Sequence, residues 1–209
     1  AGEPEQDVVY MLFAEPLDYD ARWSTGERCI NAVVSMFQPS PPLAHCELLV
    51  PPGVGADAMR TQFATYLGRE SSWQLDRVDG YSFYLQDYAN KWRALPVFAP
   101  RAASRIRAEA ELQEGVPYSL LRYVTATRGF RWLGRLVSNA RRAPAQCAGL
   151  SARVLQYALQ SQAPCPRPAS SYGPTTLFYD VRRVAEVQGD ALGAESVVFA
   201  EDVAESVNV

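Results

Sequence analysis

One histidine, His45, occurs in the 209-residue chain, against four cysteines at 29, 46, 147 and 165. Cys147 follows Pro144-Ala145-Gln146 and opens a run with helical spacing. At the start of a helix, aligned peptide dipoles and free N–H groups stabilise a thiolate and lower the thiol pKa. A thiolate used as a nucleophile needs a proton acceptor beside it, and imidazole is the usual one. Each residue alone has an ordinary explanation. A lone strand histidine is most often structural, and a buried cysteine is usually inert filler. Together they make a nucleophile and its general base.

The second nitrogen of His45 would need an orienting acceptor. Glu47 lies two residues on, so it shares a strand face with His45. The pitch of a strand sets the two about 6–7 Å apart, which is awkward for a direct hydrogen bond. No cysteine lies in a Cys-x-x-Cys pair, and a single histidine leaves few zinc ligands, so neither a metal nor a cofactor is expected. Free thiols are favoured over two disulfides, because a chain of this length does not need staples.

These residues must be carried by regular elements. Val8 to Ala14 is a continuous apolar run that reads as a buried strand, and Leu43 to Val50, which holds His45, reads as another. Cys29 to Phe37 fits strand or helix, and the prolines at 39, 41 and 42 require a loop. Asp57 to Leu67 has helical spacing through Met59, Phe63, Tyr66 and Leu67. Gly80 to Gln86 and Ala94 to Phe98 are expected strands. Pro100 to Glu114 is an expected helix with Gly115 as its stop. Tyr118 to Ala126 begins a short helix, and Phe130 to Val137 is amphipathic. Cys147 to Gln160 is a strong helix, with Leu150, Val154, Leu155 and Ala158 on one side. A proline-rich loop follows over Pro164 to Pro174, and Thr175 to Val184 resumes as strand or short helix.

With 48% hydrophobic residues, the chain can bury a sizeable core as a single domain over 1–188, followed by an acidic tail over 189–209. No apolar run approaches the roughly 18–20 residues of a membrane span, and Ala1 to Asp7 does not read as a signal peptide. The net charge of −3 argues against general nucleic-acid affinity. Charge is segregated, however. Between Gly115 and Tyr179 there is no Asp or Glu but there are eight arginines. Beyond Arg183 the charges are all acidic. The arginines are either solvated helix faces or, through Arg131, Arg135, Arg141 and Arg142, a rim that meets a phosphate or carboxylate on a substrate. The tail is either a solvated end or a segment that lies on the basic middle or on a protein partner.

Gly115-Val116-Pro117-Tyr118, then Gln146-Cys147-Ala148-Gly149-Leu150-Ser151, resembles the Gly-x-Pro-Tyr and Asp-Cys-Ser-Gly-Leu segments of the NlpC-type papain-like cysteine peptidases. In that family the histidine follows the cysteine, whereas none follows Cys147. The resemblance is therefore to the circularly permuted branch, which includes lecithin-retinol acyltransferase-like enzymes and a poxvirus virion protein. Pro174-Thr175-Thr176-Leu177-Phe178-Tyr179 is similar to the Pro-x-x-Leu-Tyr segment of that branch. Ala148 replaces the usual serine, and Glu47 stands where a glycine is usual.

The resemblance implies an α+β, papain-like fold whose antiparallel sheet packs on the Cys147 helix. It implies Cys147 as nucleophile and His45 as base. It also implies Gln86 as a third polar group, an alternative to Glu47, and Tyr118 as a site-lining residue. Arg141 and Arg142 would touch substrate. The expected activity is a thiol hydrolase or acyltransferase acting on a peptide, amide or lipid through an acyl-enzyme. The alternative is a catalytically inactive structural or interaction protein of the same fold, such as a virion or assembly component.

Overall fold

A computed structural model of the chain describes residues 6–14, 42–53, 55–63, 72–81, 93–119, 121–122 and 140–191. They form an α+β architecture. Five strands, β1 (Gln6–Ala14), β2 (His45–Val50), β3 (Ala58–Phe63), β4 (Trp73–Val78) and β5 (Arg93–Pro100), pair antiparallel in the order β4-β3-β2-β1-β5. Three helices, α1 (Ala102–Gln113), α2 (Cys147–Leu159) and α3 (Pro174–Ala191), pack against one face of the sheet.

The alternation of side chains along each strand explains the layers. Val9, Met11 and Phe13 of β1, Leu48 and Val50 of β2, and Leu95 and Val97 of β5 face the helices. There they meet Ile106 of α1, Leu150, Val154 and Leu155 of α2, and Leu177, Phe178 and Val181 of α3. Phe13 and Phe178 pack edge to face, with ring centroids 5.3 Å apart. The other face carries a smaller cluster of Leu12, Leu49, Ala58, Val78 and Ala94. β1 and β2 are thus covered on both faces, which is why Val8 to Ala14 of β1 reads as an unbroken apolar run rather than an alternating one.

The expected strands at Val8 to Ala14, Leu43 to Val50 and Ala94 to Phe98 are present, as are the helices at Pro100 to Glu114 and Cys147 to Gln160. Gly115 follows α1 with φ 78°, the left-handed stop that a residue without a Cβ adopts most easily. The strand-or-helix stretch at Thr175 to Val184 is helix, and it runs on through Gly189 to Ala191.

The Asp57 to Leu67 reading needs correction: Ala58–Phe63 is a strand, not a helix. Met59 and Thr61 are buried at strand spacing, and the register pairs Arg60 with Asp76 and Thr61 with Leu75 on β4. Over so few residues the apolar positions fit either period, and pairing with β4 decides. β4 itself was not expected from the sequence. Cys29 to Phe37, Phe130 to Val137 and the tail beyond 191 lie outside the described residues, as do Ser82 to Gln86 of the expected strand at Gly80 to Gln86 and Leu120 and Tyr123 to Ala126 of the expected helix at Tyr118 to Ala126. Among the described residues no helix is long and apolar enough to cross a membrane.

Phe178 joins α3 to β1 and β5 of the sheet and is 1% exposed. Replacing it (Phe178→Ala) should lower unfolding free energy by about 3–5 kcal/mol, read from urea denaturation curves with an unchanged slope.

Candidate active site

Cys147 is the first residue of α2. Gln146 caps the helix with extended backbone (φ −107°, ψ 169°), and its side-chain oxygen accepts from the Ala148 N–H at 2.7 Å. Its side-chain nitrogen donates to the Tyr172 carbonyl, so the cap is tied to the segment that leads into α3. Because this cap is a neutral amide, it orders the helix start without placing a negative charge beside the sulfur. Gly149 belongs to the same tight packing: a Cβ there would come within 3.2 Å of the Ala169 carbonyl oxygen. The Cys147 N–H is one of the helix-initial donors that has no intrahelical partner.

The Gly115-Val116-Pro117-Tyr118 segment reaches the same place. Tyr118 pairs with Ala145 in a parallel bridge, through Ala145 N–H to the Pro117 carbonyl (3.1 Å) and Ser119 N–H to the Ala145 carbonyl (2.8 Å). Two stretches far apart in sequence thus lie side by side two residues before the thiol.

His45 opens β2, and its alternation sets it on the sheet face opposite α2, with Cys46 on the helix face. The imidazole and the thiol nevertheless meet. β3 pairs with β2 at Leu49 and Val50, and the Leu48 N–H already goes to the Thr61 hydroxyl (2.9 Å) instead of to a β3 carbonyl. Alternate N–H groups along a strand point the same way, so the Cys46 N–H faces the gap where β3 has diverged, and it donates to the Cys147 sulfur. The His45 ring interacts with the same sulfur, by charge and by hydrogen bond. Entry into β2 is fixed by the Leu43 N–H donating to the Thr175 hydroxyl of α3 at 3.0 Å.

Glu47 accepts at its Oε1 from His45 Nε2 at 3.1 Å. Side-chain reach closes the distance that strand pitch alone made awkward. This leaves Nδ1 as the ring nitrogen for sulfur. Behind Glu47 stands Arg60, whose Nε lies 3.8 Å from Glu47 Oε2 and whose Nη2 lies 2.9 Å from Asp76 Oδ2. Charges therefore alternate along Asp76, Arg60, Glu47, His45 and Cys147.

The electrostatics follow. Burial pulls the His45 pKa down, but the charge and hydrogen bond of Cys147 and then of Glu47 outweigh it and lift the pKa from 6.5 to about 10. Burial pushes the Cys147 thiol up, but a hydrogen bond from the Cys46 side chain, the charge and hydrogen bond of His45, and the Cys46 N–H hold it well below its ordinary value of 9.0. Cys46 is driven the other way, chiefly by burial and by its place beside Cys147, so it stays a neutral thiol. The favoured state is a thiolate–imidazolium pair, and its two titrations belong to the pair.

The other expected site residues divide. Gln86 lies outside the described residues. Arg141 binds the buried Glu109 of α1 with both arms of its guanidinium and lies 5.2 Å over the Tyr157 ring. Arg142 donates to the Leu112 and Glu114 carbonyls (3.2 and 3.0 Å), closing the C-terminus of α1. Neither arginine is among the groups that shift the thiol. On another flank of α2, a small cleft is lined by Arg122, Gln146, Gly149, Arg153 and Ser170. Among the described residues no group of three His, Cys, Asp or Glu side chains could hold a metal ion, and Cys46, Cys147 and Cys165 are free thiols.

Sequence reasoning missed Arg60, Asp76 and Cys46. The first two sit in the misread helix and the unexpected strand. Cys46 was visible as the neighbour of His45, but only the gap beside β3 turns it toward the sulfur. No family model, curated protein or solved structure matches the chain.

Alkylation of Cys147 by iodoacetamide should already be at its plateau rate at neutral pH, instead of climbing toward pH 9 as an ordinary thiol does. His45→Ala should restore that climb and slow the reaction at pH 7 roughly tenfold, the gain in thiolate being partly offset by its lower nucleophilicity. Adducts are mapped by peptide mass spectrometry.

The stability linkage has two signs. The raised His45 pKa contributes fully below pH 6.5 and is lost as pH rises through about 10. The depressed Cys147 pKa contributes fully above 9.0 and is lost as pH falls through its folded value. Relative to wild type, His45→Ala should therefore lose most stability at mid-range pH and less at either extreme, measured by denaturant titration.

Proposed function

We propose that this chain is a papain-like thiol hydrolase or acyltransferase of the permuted NlpC type, acting on an amide or ester through a Cys147 acyl-enzyme. The observation that carries the reading is the buried thiolate–imidazolium pair at a helix N-terminus, with a carboxylate on the far nitrogen of the ring. The antiparallel sheet packed on the cysteine helix, and the meeting of the Gly-x-Pro-Tyr segment with the residues before Cys147, support it further.

In this mechanism the Cys147 thiolate attacks the carbonyl carbon. The Cys147 N–H is a donor for the resulting oxyanion. Imidazolium Nδ1–H of His45 protonates the leaving amine or alcohol, and the thioester remains on Cys147. Neutral His45 then takes a proton from water, for hydrolysis, or from an acceptor alcohol or amine, for transfer. That proton returns the ring to its charged form, and collapse of the second tetrahedral adduct frees the thiolate beside it. Glu47 holds the ring in place and stabilises its charge, and Arg60 and Asp76 hold Glu47.

One observation favours the second reading, a scaffold that keeps the fold without turnover. Cys147 is 3% exposed and His45 8%, so the sulfur offers little surface to a substrate. The two readings part under an activated ester such as p-nitrophenyl acetate. The enzyme should give a burst of nitrophenol equal to the protein present and a mass shift of one acyl group on the Cys147 peptide, both absent in Cys147→Ala. No burst and no adduct on a chain whose Cys147 does alkylate would exclude the enzyme. For an active enzyme the alkaline limb of kcat/KM should fall near pH 10, where His45 of the free enzyme loses its proton. Glu47→Gln removes a cause of that high pKa, so it should move the limb to lower pH.

A further inference from the structure

Cys46 has no role in the acyl-transfer chemistry above, yet it is built into the site. Its sulfur lies 4.0 Å from the Ser151 hydroxyl, one helical turn beyond Cys147 on the same side of α2. Its thiol and its N–H both act on the Cys147 sulfur, favouring the thiolate. Both side chains are buried in one apolar cluster. Two sulfurs buried in one cluster, one held as thiolate and one as thiol, are the elements of a redox pair.

We propose that Cys46 is the resolving cysteine for Cys147, and that a hydroperoxide converts the pair reversibly to a Cys46–Cys147 disulfide that switches the site off. The Cys147 thiolate attacks one peroxide oxygen. The O–O bond breaks, and the departing hydroxide takes the His45 proton and leaves as water. Cys147 is now a sulfenic acid. The Cys46 sulfur attacks the Cys147 sulfur, the S–O bond breaks, and the hydroxide leaves as water with the proton from Cys46. In total, two thiols and one hydrogen peroxide become one disulfide and two waters. A dithiol reductant restores both thiols.

The contact explains why Cys46 need not itself be a thiolate at rest. Burial beside a negative sulfur keeps it protonated. Once Cys147 is oxidised to the neutral sulfenic acid, that negative charge is gone and His45 is neutral, so a base stands within the same cluster. Trapping by Cys46 also forestalls the irreversible sulfinic stage. Cys165 supplies an internal comparison, since burial pushes its pKa up with Asp180 adding to the effect, and it has no place in the pair.

This inference rests on the Cys147 thiolate of the proposed function, and its test separates the two. The full chain is treated with stoichiometric hydrogen peroxide, free thiols are blocked, and peptides are mapped without reduction. Iodoacetamide reactivity of Cys147 at neutral pH is measured in parallel. The expected product is a linked pair of peptides containing Cys46 and Cys147, two hydrogens lighter than the separate thiols, which dithiothreitol reverses. Loss and recovery of esterase activity should track that peptide pair. In Cys46→Ser, the same peroxide dose should give severalfold more Cys147 sulfinic acid and severalfold less recovery. If wild-type Cys147 alkylates readily and reaches the sulfinic stage while Cys46 stays free, the resolving role is overturned and the thiolate stands. If Cys147 neither alkylates nor oxidises faster than Cys165, both fall.

Discussion

Charges removed from water are costly unless each one finds an opposite neighbour, and this governs the arrangement around Cys147. Glu47 is 4% exposed, so its charge could not be held in the sheet without partners. It has His45 on one oxygen and Arg60 on the other, and Asp76 balances Arg60 from β4. The chain of alternating sign ends on sulfur, the one member whose ordinary state is neutral. A positive imidazole fixed by Glu47 makes thiolate the complementary state there. Stability and reactivity thus share one cause, because the set of charges that makes the burial tolerable also holds the nucleophile ionised.

Among the described residues, β3 pairs with β2 only at Leu49 and Val50, short of where the site lies. Had β3 followed β2 as far as His45, the Cys46 N–H would be spent in a ladder. The Thr61 hydroxyl takes over the Leu48 N–H as the strands part. Past that point, backbone donors serve the sulfur in place of the sheet. α2 can bring Cys147 to this gap because its apolar side packs on the sheet through Leu150, Val154 and Leu155, while Gln146 and Gly149 fasten its first turn to the segment around Ala169 and Tyr172.

Much of this was legible in the residue order. An unbroken apolar run marked β1, since a strand covered on both faces shows no alternation, and Leu43 to Val50 read as a strand despite His45 and Glu47. A 3.6-residue period marked α2, while a run rich in Ala, Arg, Glu and Leu marked α1 and Gly115 marked its end. The failure at Asp57 to Leu67 has a definite reason. Met59 and Phe63 are compatible with either period, while Arg60 speaks for a strand only once Asp76 stands opposite. The arginines show the same dependence on context. Arg141 and Arg142 sit in a stretch without acids, which suggests a surface open to anions, but in the fold they turn to Glu109 and to the carbonyls that end α1.

The sequence by itself determined the chemical vocabulary: one imidazole in a strand, one thiol at a helix start, and a carboxylate two residues from the imidazole. Those are properties of residue type and local period, and local interactions suffice to express them. Tertiary structure decided which of these groups meet. It chose Glu47 as the acceptor behind His45, recruited Arg60 and Asp76, and set Cys46 against Cys147. Such pairings depend on strand register, on where two strands diverge and on how a helix docks, all of which arise from contacts between residues distant in the chain and leave no periodic trace in it.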